Sequence, residues 1–141
     1  MLLFCLLFHL YFLLVSGGYP VPDDCLACIC IVESSGCQMP NPICEYDVGS
    51  LSCGPYQIKK GYWTDATRSG GSLMGSWREC TASFECSEKT VQAYMTRYAT
   101  TERLGETPTC EHFARIHNGG PRGHTRASTL AFWKKVNKCL P

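Results

Sequence analysis

The chain has 141 residues, with thirteen Lys and Arg against twelve Asp and Glu, a net charge of +1. That balance argues against a dedicated nucleic-acid binder, which would carry a basic stripe, and against a cationic peptide that disrupts membranes. Eleven cysteines in so short a chain point instead to a disulfide framework.

The chain opens with Met1 to Val15, an apolar run whose only ionisable side chains are Cys5, His9 and Tyr11, followed by the small residues Ser16, Gly17 and Gly18. This is the pattern of a secretory signal peptide and its cleavage zone. The run is shorter than the roughly 20 apolar residues of a membrane-spanning helix. Residues 1–18 are therefore assigned to a signal and residues 19–141 to a single extracellular domain of about 120 residues. Cys5 falls in the signal. The other ten, Cys25, Cys28, Cys30, Cys37, Cys44, Cys53, Cys80, Cys86, Cys110 and Cys139, form an even set that predicts five disulfides. Cys25 and Cys28 also have the spacing of a zinc-binding pair, but no second ligand pair accompanies them. Neither metal nor cofactor is expected.

A helix is predicted from about Cys25, capped by Asp23 or Asp24 and ended near Gly36 by a left-handed turn. Its sequence, CLACICIVESS, is apolar on most sides and should be largely buried. The two prolines of QMPNPIC then impose a loop. EYDVGSLSCGPYQIK alternates apolar and polar residues and predicts one short, irregular hairpin. The Gly- and Ser-rich stretch ATRSGGSLMGS reads as an exposed loop. KTVQAYMTRYA sets Val91, Tyr94, Met95 and Tyr98 on one helical face. CEHFARIH forms a short helix that stops at Asn118-Gly119-Gly120-Pro121. In STLAFWKKVNKC, Ser128 is the expected N-cap, and Leu130, Phe132, Trp133 and Val136 are available to pack. The fold class is α+β, helix-dominated, with one small hairpin and no βαβ pattern.

Two acidic residues stand apart from the rest. Glu33 follows Ile29-Cys30-Ile31-Val32 near the C-terminal end of a buried helix, where burial and the helix dipole both disfavour its charge. Asp47 stands at the mouth of the hairpin, where backbone amides and hydroxyls would favour its ionised form. A carboxyl kept protonated beside one kept charged is the division of labour used in glycoside hydrolysis.

CLACICIVESSGC, DVGSLSCGPYQIKKGYW, VQAYMTRYA and CEHFARIHNGGPRG, in that order, resemble the signature blocks of the invertebrate-type lysozymes and destabilases. The likeness runs from Cys25 to Cys139. It implies a lysozyme-like fold, Glu33 as proton donor and Asp47 as nucleophile. It further implies a substrate groove along Lys59, Lys60, Gly61, Tyr62, Trp63, Thr64 and Asp65, with Tyr94 and the turn His117-Asn118-Gly119 opposite. Sugar rings would stack on Tyr62 and Trp63, although both also read as core aromatics. The pairing implied is Cys25–Cys110, Cys28–Cys139, Cys30–Cys37, Cys44–Cys53 and Cys80–Cys86. Ala66, Thr90, Glu106 and His124 stand where family members often carry Cys. The chain also departs from the pattern in an extra Ser before Gly36, in the longer MPNPI loop, and in Pro55 where an aromatic residue is usual.

The activity implied is a retaining muramidase on bacterial peptidoglycan, with no nucleic-acid partner and no membrane span, acting as a monomer or weak dimer. Two alternatives stand beside it. One is an isopeptidase cleaving ε-(γ-glutamyl)-lysine crosslinks, for which Ser50, Ser52, Lys59 and His117 are candidate participants. The other is a secreted, non-catalytic module that binds peptidoglycan through the same groove.

Overall fold

In a computed structural model of the chain, the residues described are 18–69, 73 and 75–141. Nearly all of the expected signal segment, 1–18, and part of the expected loop at 66–76 lie outside them. Among the described residues, no helix is long and apolar enough to cross a membrane.

The first helix, α1 (Asp23–Glu33), lies at the centre of the domain with Cys25, Leu26, Cys28, Ile29 and Cys30 buried. Its N-cap is Pro22 rather than either aspartate. Asp23 and Asp24 fall inside the first turn, where their carboxylates face the positive end of the helix. The helix ends on Glu33. Ser34 returns its backbone N–H to the Cys30 carbonyl, and Gly36 returns its own to Ile31. Ser35, Gly36 and Cys37 all take left-handed backbone angles, with φ of 52°, 104° and 60°. Non-glycine residues adopt that region at a cost of about 1–2 kcal/mol each. The Cys30–Cys37 disulfide ties this turn back onto the helix it terminates.

Three antiparallel strands follow, β1 (Cys44–Asp47), β2 (Ser50–Cys53) and β3 (Ile58–Lys59), in the order β1-β2-β3. The single hairpin expected from sequence thus gains a third strand. Val48 and Gly49 make the two-residue turn with φ of 43° and 81°, the double left-handed turn that matches strand twist. This pairs Asp47 with Ser50 and Cys44 with Cys53, the latter also joined as a disulfide. Gly54 turns the chain toward β3. A Cβ there would lie 2.1 Å from the Thr81 carbonyl oxygen, so the position admits only glycine.

The remaining helices are α2 (Lys60–Thr67), α3 (Trp77–Thr81), α4 (Phe84–Tyr98), α5 (Thr101–Leu104), α6 (Cys110–Gly119) and α7 (Leu130–Cys139). Helix α2 replaces part of the expected loop, since Ala66 is helical and fully buried. Helix α4 begins well before Lys89 because the Ser83 hydroxyl accepts the Cys86 N–H at its start. Its buried face is the expected one, with Val91, Tyr94 and Met95 in the core and Tyr98 half-buried. Helix α7 starts after a 3₁₀ turn at Ala127–Thr129, so its N-cap is Thr129 and not Ser128. Val136 is its buried anchor, whereas Leu130 is 47% exposed and does not pack as expected.

The five disulfides join Cys25 to Cys110, Cys28 to Cys139, Cys30 to Cys37, Cys44 to Cys53 and Cys80 to Cys86. The first two clamp α1 to α6 and α7 across the core. Two of the short ones flank Glu33 and Asp47.

Candidate active site

Glu33 and Asp47 stand on different kinds of structure. Glu33 is the last residue of α1, and its side chain is only 18% exposed. Asp47 ends β1 at the hairpin turn, with its side chain 59% exposed. Beside Asp47 lies a cation. The Lys59 ammonium donates to the Asp47 backbone carbonyl at 2.6 Å and to the Ser50 hydroxyl at 2.8 Å. The same nitrogen is 3.9 Å from the Asp47 carboxylate. Lys59 thus staples both ends of the turn while its side chain stays 39% exposed.

Helix α2 carries the rest of the expected groove stretch. Lys60 and Gly61 face solvent, and the Thr64 hydroxyl is turned back onto the Lys60 carbonyl at 2.9 Å. Asp65 accepts the Tyr98 hydroxyl at 3.0 Å and lies 3.8 Å from Arg68. Tyr62 lays one ring face on Tyr94, with centroids 3.6 Å apart and planes 10° from parallel. Its hydroxyl meets His117 Nδ1 at 3.0 Å. Burial, reinforced by Tyr94, Glu33 and Tyr56, pushes the Tyr62 phenol well above its ordinary pKa. Tyr62 is thus committed to the protein interior on one face and at its tip. Trp63 packs against the core, and its indole N–H is buried with no hydrogen-bond partner among the described residues.

Tyr94 and His117, expected on the groove wall, are both buried. Tyr94 is 3% exposed, covered by Tyr62, and supports the wall from behind. His117 is 8% exposed and points inward from the last turn of α6. Its Nε2 lies 3.2 Å from Glu33 Oε1 and 3.0 Å from the Tyr56 carbonyl oxygen. Of that turn, Asn118 alone is exposed. Gly119 closes α6 against Thr129, whose methyl a Cβ would meet at 2.5 Å.

Glu33 also lines an open cleft of about 340 Å³ with Gln38, Asn41, Glu45 and Gln57. These residues were not singled out from sequence. Glu45 carried a usable signal, because it stands two positions before Asp47 on β1 and so shares its face. Gln38 and Asn41 belong to the lengthened loop after Cys37, where only the departure in length marked them. Ser34 and Ser35 line the same cleft, so the extra serine lies beside Glu33 at its rim.

A half-buried carboxyl at a helix end, an exposed one on a short hairpin, and a disulfide clamp around both define a lysozyme-like α+β protein. Comparison with known proteins makes this specific. The destabilase family model matches residues 22–139. Lysozyme of Meretrix lusoria is 48% identical over 123 residues, covering 87% of this chain and 93% of that protein. Lysozyme 1 of Crassostrea virginica is 50% identical over 125 residues, and the match spans 86% of this chain but 62% of that longer protein. The crystal structure of Tapes japonica lysozyme superposes with a TM-score of 0.74 at 44% identity, covering 86% of this chain and 92% of the other. The chain belongs to the destabilase family, the invertebrate-type lysozymes. The function that family and fold carry is that of a lysozyme, a glycoside hydrolase.

Proposed function

We propose that the chain is a secreted muramidase that cuts the β-1,4 bond between N-acetylmuramic acid and N-acetylglucosamine in bacterial peptidoglycan with retention. In the first step an Asp47 carboxylate oxygen bonds to the anomeric carbon as the bond from that carbon to the glycosidic oxygen breaks. The leaving oxygen takes its proton from Glu33. In the second step water attacks the glycosyl ester, the Glu33 carboxylate accepts the water proton, and Asp47 is released. The observation that carries this reading is the opposed setting of the two carboxyls, 18% exposed for Glu33 and 59% for Asp47. Retention asks for carboxyl groups about 5–5.5 Å apart with sugar bound between them.

The contact surface follows from what is free to touch substrate. Lys60, Gly61 and Asn118 are exposed, and Trp63 and Thr64 are partly so. Together with Gln38, Asn41 and Gln57 of the cleft they supply the amides and hydroxyls that read N-acetyl groups. The test is Glu33→Gln. It should lower clearing of a peptidoglycan suspension by about 10²–10⁴-fold, the usual contribution of a general acid, with an unchanged thermal transition. A folded variant that still clears at the native rate would end the proton-donor assignment. A non-catalytic binding module would give no turnover even with Glu33 intact.

One observation favours a second, additional activity. Lys59 Nζ and Ser50 Oγ are 2.8 Å apart, within the hydrogen-bond reach of a serine–lysine pair. The other sequence candidates fall away, since Ser52 is 1% exposed and His117 is committed to interior partners. Release of a chromogenic amide from a γ-glutamyl substrate, lost in Ser50→Ala while clearing persists, would establish an isopeptidase. No release by the native protein would remove it.

A further inference from the structure

His117 was expected to face the sugar, but its side chain is 2% exposed and touches Glu33 instead. We propose that His117 is the positioning residue for the acid, its Nε2–H holding Glu33 Oε1 and stabilising the carboxylate that forms as the proton leaves. This rests on Glu33 being the proton donor.

The protonation of the ring follows from its partners. Nε2 faces two oxygens, the Tyr56 carbonyl at 3.0 Å and Glu33 Oε1 at 3.2 Å. A carbonyl has no proton to give, so Nε2 carries one. Nδ1 faces the Tyr62 hydroxyl at 3.0 Å, and that phenol stays protonated. A neutral ring that accepts from Tyr62 and donates from Nε2 is therefore satisfied at both nitrogens. The ring is also held in place. Tyr62 meets it edge-on at 5.3 Å and Tyr56 at 6.4 Å, and Phe132 stacks on it at 6.2 Å.

The donor matters because of when it strengthens. While Glu33 is neutral, the Nε2–H has an uncharged neighbour and leans on Tyr56. As Glu33 passes its proton to the glycosidic oxygen, the same contact becomes charge-assisted, and such bonds are roughly twice as strong as neutral ones. An interaction stronger in the transition state than in the ground state raises the rate rather than the affinity. The fixed Oε1 also leaves Oε2 as the oxygen free to address substrate. The other ionisable groups around this pair are Tyr56, Tyr62 with Tyr94 behind it, and Glu45 across the cleft. Phe132 closes the α7 side with an apolar ring, so among these partners His117 is the single nitrogen donor to Glu33.

The experiment compares His117→Leu, which removes the donor, with His117→Gln, whose amide nitrogen can replace Nε2. Steady-state rates are measured on a soluble chito-oligosaccharide across pH, beside the thermal transition. For the leucine variant, kcat should fall about tenfold to a hundredfold, the size carried by a hydrogen bond to a charged group, with KM nearly unchanged. The high-pH limb of the rate profile should move up, since loss of the N–H donor removes support for the charged form of the acid. The glutamine variant should restore both. Equal losses in the two variants, or a folded leucine variant with native kcat and limb, would overturn the proposal. Should the leucine variant fail to fold, the native protein decides the matter. With ¹⁵N-labelled histidine, the Nε2–H resonance of His117 should shift at the pH of the activity limb and be displaced in Glu33→Gln. A resonance that does neither refutes the contact. If Glu33→Gln is itself active, the proton-donor reading fails independently of any result at His117.

Discussion

The two sides of the proposed active site are built in opposite ways. On the helix side, Glu33 is the end of a buried α1, backed by His117 and closed by the Cys30–Cys37 turn. On the hairpin side, Asp47 is exposed at a two-residue turn and steadied by Lys59 from β3, the far strand of the sheet. One carboxyl faces a hydrogen-bond donor inside the protein, and the other faces an ammonium at the surface. A proton donor has to keep its proton until the leaving oxygen arrives, whereas a nucleophile has to stay charged. The Lys59 ammonium suits a carboxylate that stays charged throughout, and the His117 N–H suits the carboxylate that Glu33 becomes as its proton leaves.

The largest effects should separate the roles by substrate. A leaving group that departs as a stable anion needs no proton, so an aryl or fluoride glycoside should restore the first step in Glu33→Gln, seen as a burst of released leaving group. Turnover stays limited by the second step, which still lacks its base. The same substrate should leave Asp47→Ala inactive, because no leaving group replaces the nucleophile. Pre-steady-state release of the leaving group from natural and activated substrates checks this. Equal rescue of both variants would erase the distinction between the two sides.

A smaller contrast lies in the disulfides. Cys28–Cys139 closes a span of 111 residues and Cys30–Cys37 a span of 7. In the chain-entropy account, opening the long one costs about 5 kcal/mol of stability and the short one about 2–3 kcal/mol. The short one, however, holds the turn directly after Glu33. Replacing Cys30 and Cys37 by Ala should therefore lower clearing activity more than replacing Cys28 and Cys139 at a temperature where both fold. Denaturant unfolding beside activity assays gives the two orderings. Matching orders would mean that the turn does not set the acid's position.

The smallest expected effect lies away from the site. His124 Nδ1 is buried without a hydrogen-bond partner among the described residues, and burial, followed by His112 and Arg115, holds its pKa below the usual value. A histidine whose folded pKa is depressed binds fewer protons folded than unfolded. Stability is therefore retained at neutral pH and declines as pH falls through the unfolded value of about 6.5. His124→Gln should narrow the difference in Tm between pH 7.5 and pH 5, and an unchanged difference would assign the acid sensitivity elsewhere.

Much of this was legible in the chain. The spacing of Val91, Tyr94 and Met95 gave the buried face of α4, and the ten cysteines gave the frame. Chain ends were less legible because local hydrogen bonds decide them. Ser83 extends α4 backward, and a 3₁₀ turn moves the start of α7 past Ser128. Helix α2 was hidden by a glycine, by β-branched Thr64 and Thr67, and by a Gly-rich continuation. Its packing on α4 through Tyr62 and Tyr94 outweighs those weak propensities. At the candidate site, residues were named from the sequence but not their orientation. Lys59, Tyr62 and His117 lie in the right blocks, yet each points at another protein group. Side-chain direction depends on contacts between distant segments, which no local pattern records.

The most direct measurement is covalent trapping of the intermediate. Glu33→Gln is incubated with 2-fluoro-chitobiosyl fluoride, whose leaving group needs no acid and whose fluorine slows hydrolysis of the ester. The account predicts a stoichiometric mass gain of one glycosyl unit, located by peptide mapping on Asp47 and absent from Glu33→Gln with Asp47→Ala. Label on Glu45 instead, or turnover of the fluoride with Asp47 removed, would contradict it.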